Sequence, residues 1–158
     1  MHKTKIDISH EVRGKVIELL NDRLADAIDL KFQAKQAHWN VKGMSFISLH
    51  ELFDRVSTEI ETHIDTIAER VTTLGGTALG TVRVAAQKST LSDYPLEIID
   101  GADHVDALSN ALSDFGKKVR ANIDDTDALV DKDTADLFTG ISREIDKQLW
   151  FVESHIQV

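Results

Sequence analysis

The residues with the most chemistry in this chain stand at helical spacing in one segment: His50, Asp54, Glu61, Asp65 and Glu69. An α-helix turns 100° and rises 1.5 Å per residue. With His50 at zero, the five point to about 0°, 40°, 20°, 60° and 100°, a single polar stripe. His50 and Asp54 form an i,i+4 pair that can reach one metal ion, and Asp65 and Glu69 form a second. The pairs cannot serve the same ion within one helix, because Asp54 and Asp65 are roughly 16 Å apart along the axis and metal–ligand bonds are only ~2 Å. A second, antiparallel copy of the helix removes the conflict. His50 and Glu69 lie equally far from a point midway between residues 59 and 60, as do Asp54 and Asp65. A two-fold axis there sets His50 against Glu69 and Asp54 against Asp65, giving two equivalent sites on a self-complementary patch. The plainer reading of such a stripe is a solvated helix face. The ordered symmetry of two pairs favours the metal reading, and a donor set of nitrogen and oxygen without sulfur suits iron, manganese or zinc.

His38 is the next candidate ligand. It continues the apolar face of the preceding segment and stands beside Trp39. An isolated histidine there would be a core residue, but a second histidine and an aspartate nearby in a bundle make it a third donor. The chain has no cysteine, which excludes disulfides and thiolate metal sites. Six aspartates, Asp124, Asp125, Asp127, Asp131, Asp133 and Asp136, precede or open the last helix. They suit helix capping and the helix dipole, and equally a cation-attracting pore where subunits meet, for which Asp127, Asp131, Asp133 and Asp136 are the candidates.

The elements that must position these residues are all helical. Ser9 can cap a first helix that carries Val12, Val16, Leu20, Leu24, Ala27 and Ala34 on one face and ends near Asn40; Lys31 interrupts that face. A second helix spans about 45–74, with Leu49, Phe53, Val56, Ile60, Ile67, Val71 and Leu74 in step, and Gly75 and Gly76 stop it. Residues 75–100 form one long connection holding the only proline, with a short helix over Val82 to Lys88. A third helix fits Ala102 to Asp124 and a fourth about Asp133 to Ile156. In a four-helix bundle, one long crossover lets the second and third helices run parallel.

At 158 residues, 42% hydrophobic and 28% charged, the chain makes one soluble domain, here 9–158 behind a short, frayed polar tail at 1–8. The net charge of −9 repels a phosphate backbone and attracts cations. No apolar run reaches the ~18 residues that span a membrane, so a cytoplasmic location is expected.

The runs Lys35-Gln-Ala-His-Trp-Asn-Val-Lys-Gly43, Phe46-Ile-Ser-Leu-His50, Phe53-Asp54 and His63-Ile-Asp65-Thr-Ile-Ala-Glu69-Arg70 closely resemble the Dps family, the DNA-protection-during-starvation proteins or miniferritins. Asp133-Thr-Ala-Asp136 and Asp146-Lys147-x-Leu149-Trp150-Phe151 resemble it too, so the likeness covers roughly residues 15–157. It implies an all-α, ferritin-like four-helix bundle assembled as a hollow dodecamer with 23 symmetry, built from two-fold dimers. It implies ferroxidase sites in which His38, His50 and Asp54 come from one subunit and Asp65 and Glu69 from its mate. The implied chemistry is oxidation of Fe2+, preferably by hydrogen peroxide, and storage of Fe3+ inside the shell. Trp39 and Trp150 could then quench stray oxidising equivalents. No Glu-x-x-His occurs, which disfavours the ordinary ferritin site inside one bundle. Family members that bind DNA often use a lysine-rich tail. Here Lys3 and Lys5 alone precede the first helix, so direct DNA binding and nucleoid association are expected to be weak. An iron-oxidising store, a DNA-compacting protein whose metal site is secondary, and a plain helical interaction module remain the three functional readings, in that order.

Overall fold

The computed structural model describes residues 1–157 and contains five helices: α1 (His10–Asn40), α2 (Phe46–Thr73), α3 (Val82–Lys88), α4 (Gly101–Ala128) and α5 (Lys132–Glu153). Long helices form because the apolar residues recur every three or four positions, and the core is made of those residues. Val16, Leu20, Leu24, Ala27 and Ala34 of α1, and the second-helix stripe from Leu49 to Leu74, are all buried. Phe53, Phe115 and Phe138 fill the centre.

The helix order can be read from what meets at each end. Lys42, just after α1, bridges Asp100, just before α4. A Cβ on Gly101 would stand 2.7 Å from Leu49 Cδ1, so the first turn of α2 packs closely on the first turn of α4. Both helices start at the same end and run parallel, as the long crossover requires.

That crossover climbs along α1. Asn21 bonds Thr77 and Leu79. Further up, Asp26, fully buried, accepts from the Thr90 amide at 2.7 Å and pairs with Arg23 at 3.1 Å. Higher still, Gln33 donates to Ser92. These contacts give α1 a second packed side. Polar Asn21, Asp26 and Gln33 are therefore buried beside its apolar stripe, which is why that stripe looks blurred in sequence. Near the far end of the crossover, Tyr94 Oη and His104 Nδ1 are 2.7 Å apart. Burial depresses the His104 pKa, with Asp103 acting against it, and raises that of Tyr94.

Three expectations need correction. The tail is not frayed: the His2 amide donates to Gly75 O at 2.6 Å, and Arg13 bonds both Ile8 O and Leu74 O. Gly75 allows this with φ +88, since a Cβ there would meet His2 O at 2.7 Å. Second, α4 runs one turn past Asp124, so Asp124, Asp125 and Asp127 belong to its C-terminal turn, where carboxylates oppose the dipole. Third, α5 begins at Lys132 with Asp131 as its cap and ends at Glu153, which leaves Ile156 outside it. Among the described residues no helix is long and apolar enough to cross a membrane.

The overrun of α4 has an identifiable cause. Asp131 N donates to Thr126 O and Val130 N to Asp127 O, a Schellman closure whose left-handed position is normally glycine. Here it is Val130, at φ 63 and 77% exposed. A β-branched residue is strained there by about 1–2 kcal/mol. Val130→Gly should relieve the strain, offset in part by glycine's greater unfolded entropy, for a net gain of roughly 0.5–1 kcal/mol. A thermal melt that rises by a few degrees in the variant checks this; an unchanged or lower midpoint contradicts it.

Candidate metal centre

His38 lies in the last turn of α1 and His50 just after the first turn of α2, joined by the short 41–45 link. Their rings stack with centroids 3.8 Å apart and planes 24° apart. His38 Nδ1 is 2.7 Å from His50 O, and His50 Nδ1 is 2.8 Å from His38 O. A carbonyl only accepts, so each Nδ1 carries the proton. In the neutral ring Nε2 then keeps its lone pair, the state a metal ligand needs. His38 can offer its carbonyl because the last four carbonyls of a helix lack an intrahelical partner. Half-burial holds both rings while leaving the site open.

Asp54 sits one turn beyond His50. Lys35 Nζ donates to its Oδ1 at 2.6 Å. This hydrogen bond holds the Asp54 carboxyl below its usual range; partial burial opposes, and the charges of Lys35, His38 and His50 add to the lowering. Lys35 also lies 5.6 Å from the Trp39 ring centroid, and Trp39 is 61% exposed. Asp65 and Glu69 follow on the same face of α2, both exposed. Among the described residues, no group of three or more histidine or acidic side chains converges to hold a metal ion. One chain thus brings His38 and His50 together beside Asp54 and does not bring Asp65 or Glu69 to them.

The other candidates part company. Asp131 is 2% exposed, caps α5 through Thr134 N and pairs with Arg70 at 2.8 Å. Asp127 is bonded to Lys132. Asp133 and Asp136 are exposed and border an open cleft of about 520 Å³ with Glu59, His63, Arg143 and Glu144. Burial depresses the His63 pKa against the pull of Glu144 and Glu59. Trp150 is exposed on α5, its ring 4.9 Å from that of Phe151.

Sequence reasoning missed the lysines. Lys31 and Lys35 project from α1 onto the acidic stripe of α2, Lys31 reaching Glu61 at 2.7 Å. The available signal was their i,i+4 spacing, the same spacing that repeats along the stripe they neutralise.

A ferritin-like domain model matches residues 17–158. The DNA protection during starvation protein of Agrobacterium fabrum is 47% identical over 99% of this chain and 96% of its own length. The chain belongs to the Dps family. Among solved structures, Mycobacterium smegmatis Dps in a tetragonal form superposes with a TM-score of 0.94 at 30% identity, covering 99% of this chain and 96% of that one. Dps from Microbacterium arborescens in the high iron form gives 0.87 at 30% identity, covering 94% and 96%. Within this Dps chain, the paired imidazoles, the tethered carboxylate and the two free carboxylates all lie along one α1–α2 face.

Lys35 engages Asp54 Oδ1, so a cation binding through that oxygen would compete with it. Lys35→Met should tighten Zn2+ binding at neutral pH by up to about fivefold, because an ionic hydrogen bond of at most ~1 kcal/mol need no longer be broken. Folding stability should change by less than about 1 kcal/mol, as the pair is half exposed. Calorimetric titration checks the first and a melt the second. Weaker binding in the variant would instead make Lys35 a support that aims Asp54.

Proposed function

We propose that this protein is a miniferritin, in which two chains pair across the α1–α2 face and form two sites that oxidise Fe2+. The observation that carries the reading is the reciprocal histidine lock. It presents two ligand nitrogens beside Asp54, while Asp65 and Glu69 stand unengaged at the mirrored positions. In each site His38, His50 and Asp54 of one chain would bind iron together with Asp65 and Glu69 of the other. The exposed Phe32 and Trp39 beside the stripe supply apolar surface for such a pairing. Iron is the substrate: two Fe2+ give one electron each to hydrogen peroxide, its O–O bond breaks, and both oxygens end at the level of water or hydroxide. The carboxylates favour Fe3+ over Fe2+ by charge, and the imidazoles supply borderline nitrogen donors. A relative solved in a high iron form supports iron over zinc or manganese. The remaining steps are storage of ferric iron in a hollow, dodecameric cytoplasmic cage and protection of DNA by removal of iron and peroxide together. Trp39, beside His38 and linked to Asp54 through Lys35, is the better placed of the two tryptophans to take up a stray oxidising equivalent.

A nucleoid-compacting role is the second reading and is weaker. It relies on Lys3 and Lys5, and the tail that carries them is bonded back to Gly75. A pinned arm with two lysines neutralises few phosphates.

Two experiments test the main reading. His50→Ala and Glu69→Ala subunits should each oxidise iron poorly, yet co-assembled cages should regain activity, because a mixed dimer gathers both lesions in one site and leaves the other intact. No recovery in mixed cages would mean the ligands do not come from two chains. Iron uptake is the second test. Asp133 and Asp136 are exposed on the first turns of α5, just after the turn from α4, and form no ion pair among the described residues; a carboxylate-lined channel concentrates cations. Asp131, the actual cap, is untouched by Asp133→Asn/Asp136→Asn, so stability should hold within about 0.5 kcal/mol while stopped-flow oxidation at limiting Fe2+ slows several-fold. Uptake equal to the parent would leave these aspartates as solubilising residues.

A further inference from the structure

Glu61 lies on the ligand stripe but has no place in the ligand set. Its mirror position about the midpoint of the seam is Thr58, not a donor of the other pairs. Of the stripe residues it is the nearest to that midpoint, about 2 Å away along the axis. In a pair of antiparallel copies the two Glu61 positions are therefore offset by only about 5 Å along the seam, across from each other on facing helices. Thr58, the residue facing them, already donates its hydroxyl to Asp54 O of its own helix at 3.0 Å and carries no charge to offset theirs. Lys31 engages Glu61 at 2.7 Å, and its side chain, 22% exposed, lies 5.6 Å from the Phe32 ring centroid. An exposed ion pair of this kind usually contributes little. Two like charges brought together in a seam that excludes water are a different case, since a carboxylate left there without a partner is costly.

We propose that Lys31 is a positioning residue that neutralises Glu61 at the two-fold axis and so holds both metal sites in register. The inference rests on the two-chain site proposed above. Each site lies roughly 11 Å from the axis along the same pair of helices, so repulsion at the centre separates ligands contributed by opposite chains at both ends. Lys31 touches no metal and acts only through the spacing of Asp54 from the facing Asp65.

The test uses full-length cages carrying Lys31→Met, Lys31→Arg, or Lys31→Met together with Glu61→Gln, and Asp65→Asn as a control. Particle size and the dependence of oxidation rate on Fe2+ are measured for each. Lys31→Met should raise the KM for Fe2+ by about tenfold with a smaller change in kcat, and Lys31→Arg should stay near the parent. The double variant should recover to within about twofold, because removing both charges removes the repulsion. Assembly lost in Lys31→Met and restored in the double variant supports the same conclusion. An unchanged KM in Lys31→Met, or a double variant as impaired or unassembled as the single, overturns it and leaves Lys31 as a packing or surface residue. Asp65→Asn cages that oxidise iron normally would remove the shared site and the proposal with it. Impaired Asp65→Asn beside unaffected Lys31→Met rejects the role of Lys31 alone.

Discussion

The reciprocal bond between His38 and His50 is the constraint on which the site depends. Each ring donates to the other's backbone carbonyl, so neither helix can rotate without breaking both bonds and the stack. The same two bonds fix the tautomer. A histidine bonded through Nε2 would have turned its lone pair inward; bonded through Nδ1, it turns it toward the outer face. Local backbone geometry therefore decides both where the nitrogens are and which of them can bind an ion. The short 41–45 link, anchored by Lys42 N to Ile99 O, sets the two helix ends close enough for this.

The rest of the bundle leaves that face bare. Parallel α2 and α4 need a crossover the full length of the molecule, and it runs up α1, held by buried Asp26. One side of α1 is thus spent on the crossover and another on the core. The remaining side carries Phe32, Lys35 and Trp39 and shares the surface with the acidic stripe of α2. Aromatic rings standing in solvent beside unsatisfied carboxylates make little sense for a solitary chain. They suit a second copy related by the symmetry already present in the spacing of His50, Asp54, Asp65 and Glu69.

Much of this was legible in sequence because it rests on periodicity. Apolar spacing marked the helices, and polar spacing on α2 marked the candidate pairs and the midpoint between them. What escaped rests on backbone contacts that spacing does not encode. The stop of α4 was misplaced because Val130 takes a left-handed position that glycine or asparagine usually announces. The tail was misread because its anchor is a backbone bond from the His2 amide to the Gly75 carbonyl, which leaves no trace in residue spacing. The six aspartates read as one cluster, but their fates differ: Asp131 alone is buried, committed to Arg70 and a helix cap, Asp127 is bonded to Lys132, and the other four face solvent.

Lys31 and Lys35 bear on why an iron-handling face would be built this way. The two lysines neutralise part of the acidic stripe, Lys31 at Glu61 and Lys35 at Asp54, while Asp65 and Glu69 stay exposed. In the single chain Asp54 is engaged by Lys35, and no group of three or more histidine or acidic side chains converges among the described residues. Under the two-chain reading, binding strength comes only when a partner brings Asp65 and Glu69 opposite the lock, at which point three carboxylates and two imidazoles outweigh one ammonium. Oxidation is then coupled to assembly. On that reading iron would find strong sites only in paired chains, where the product has a shell to enter, and not on single subunits where ferric ions would precipitate in solution.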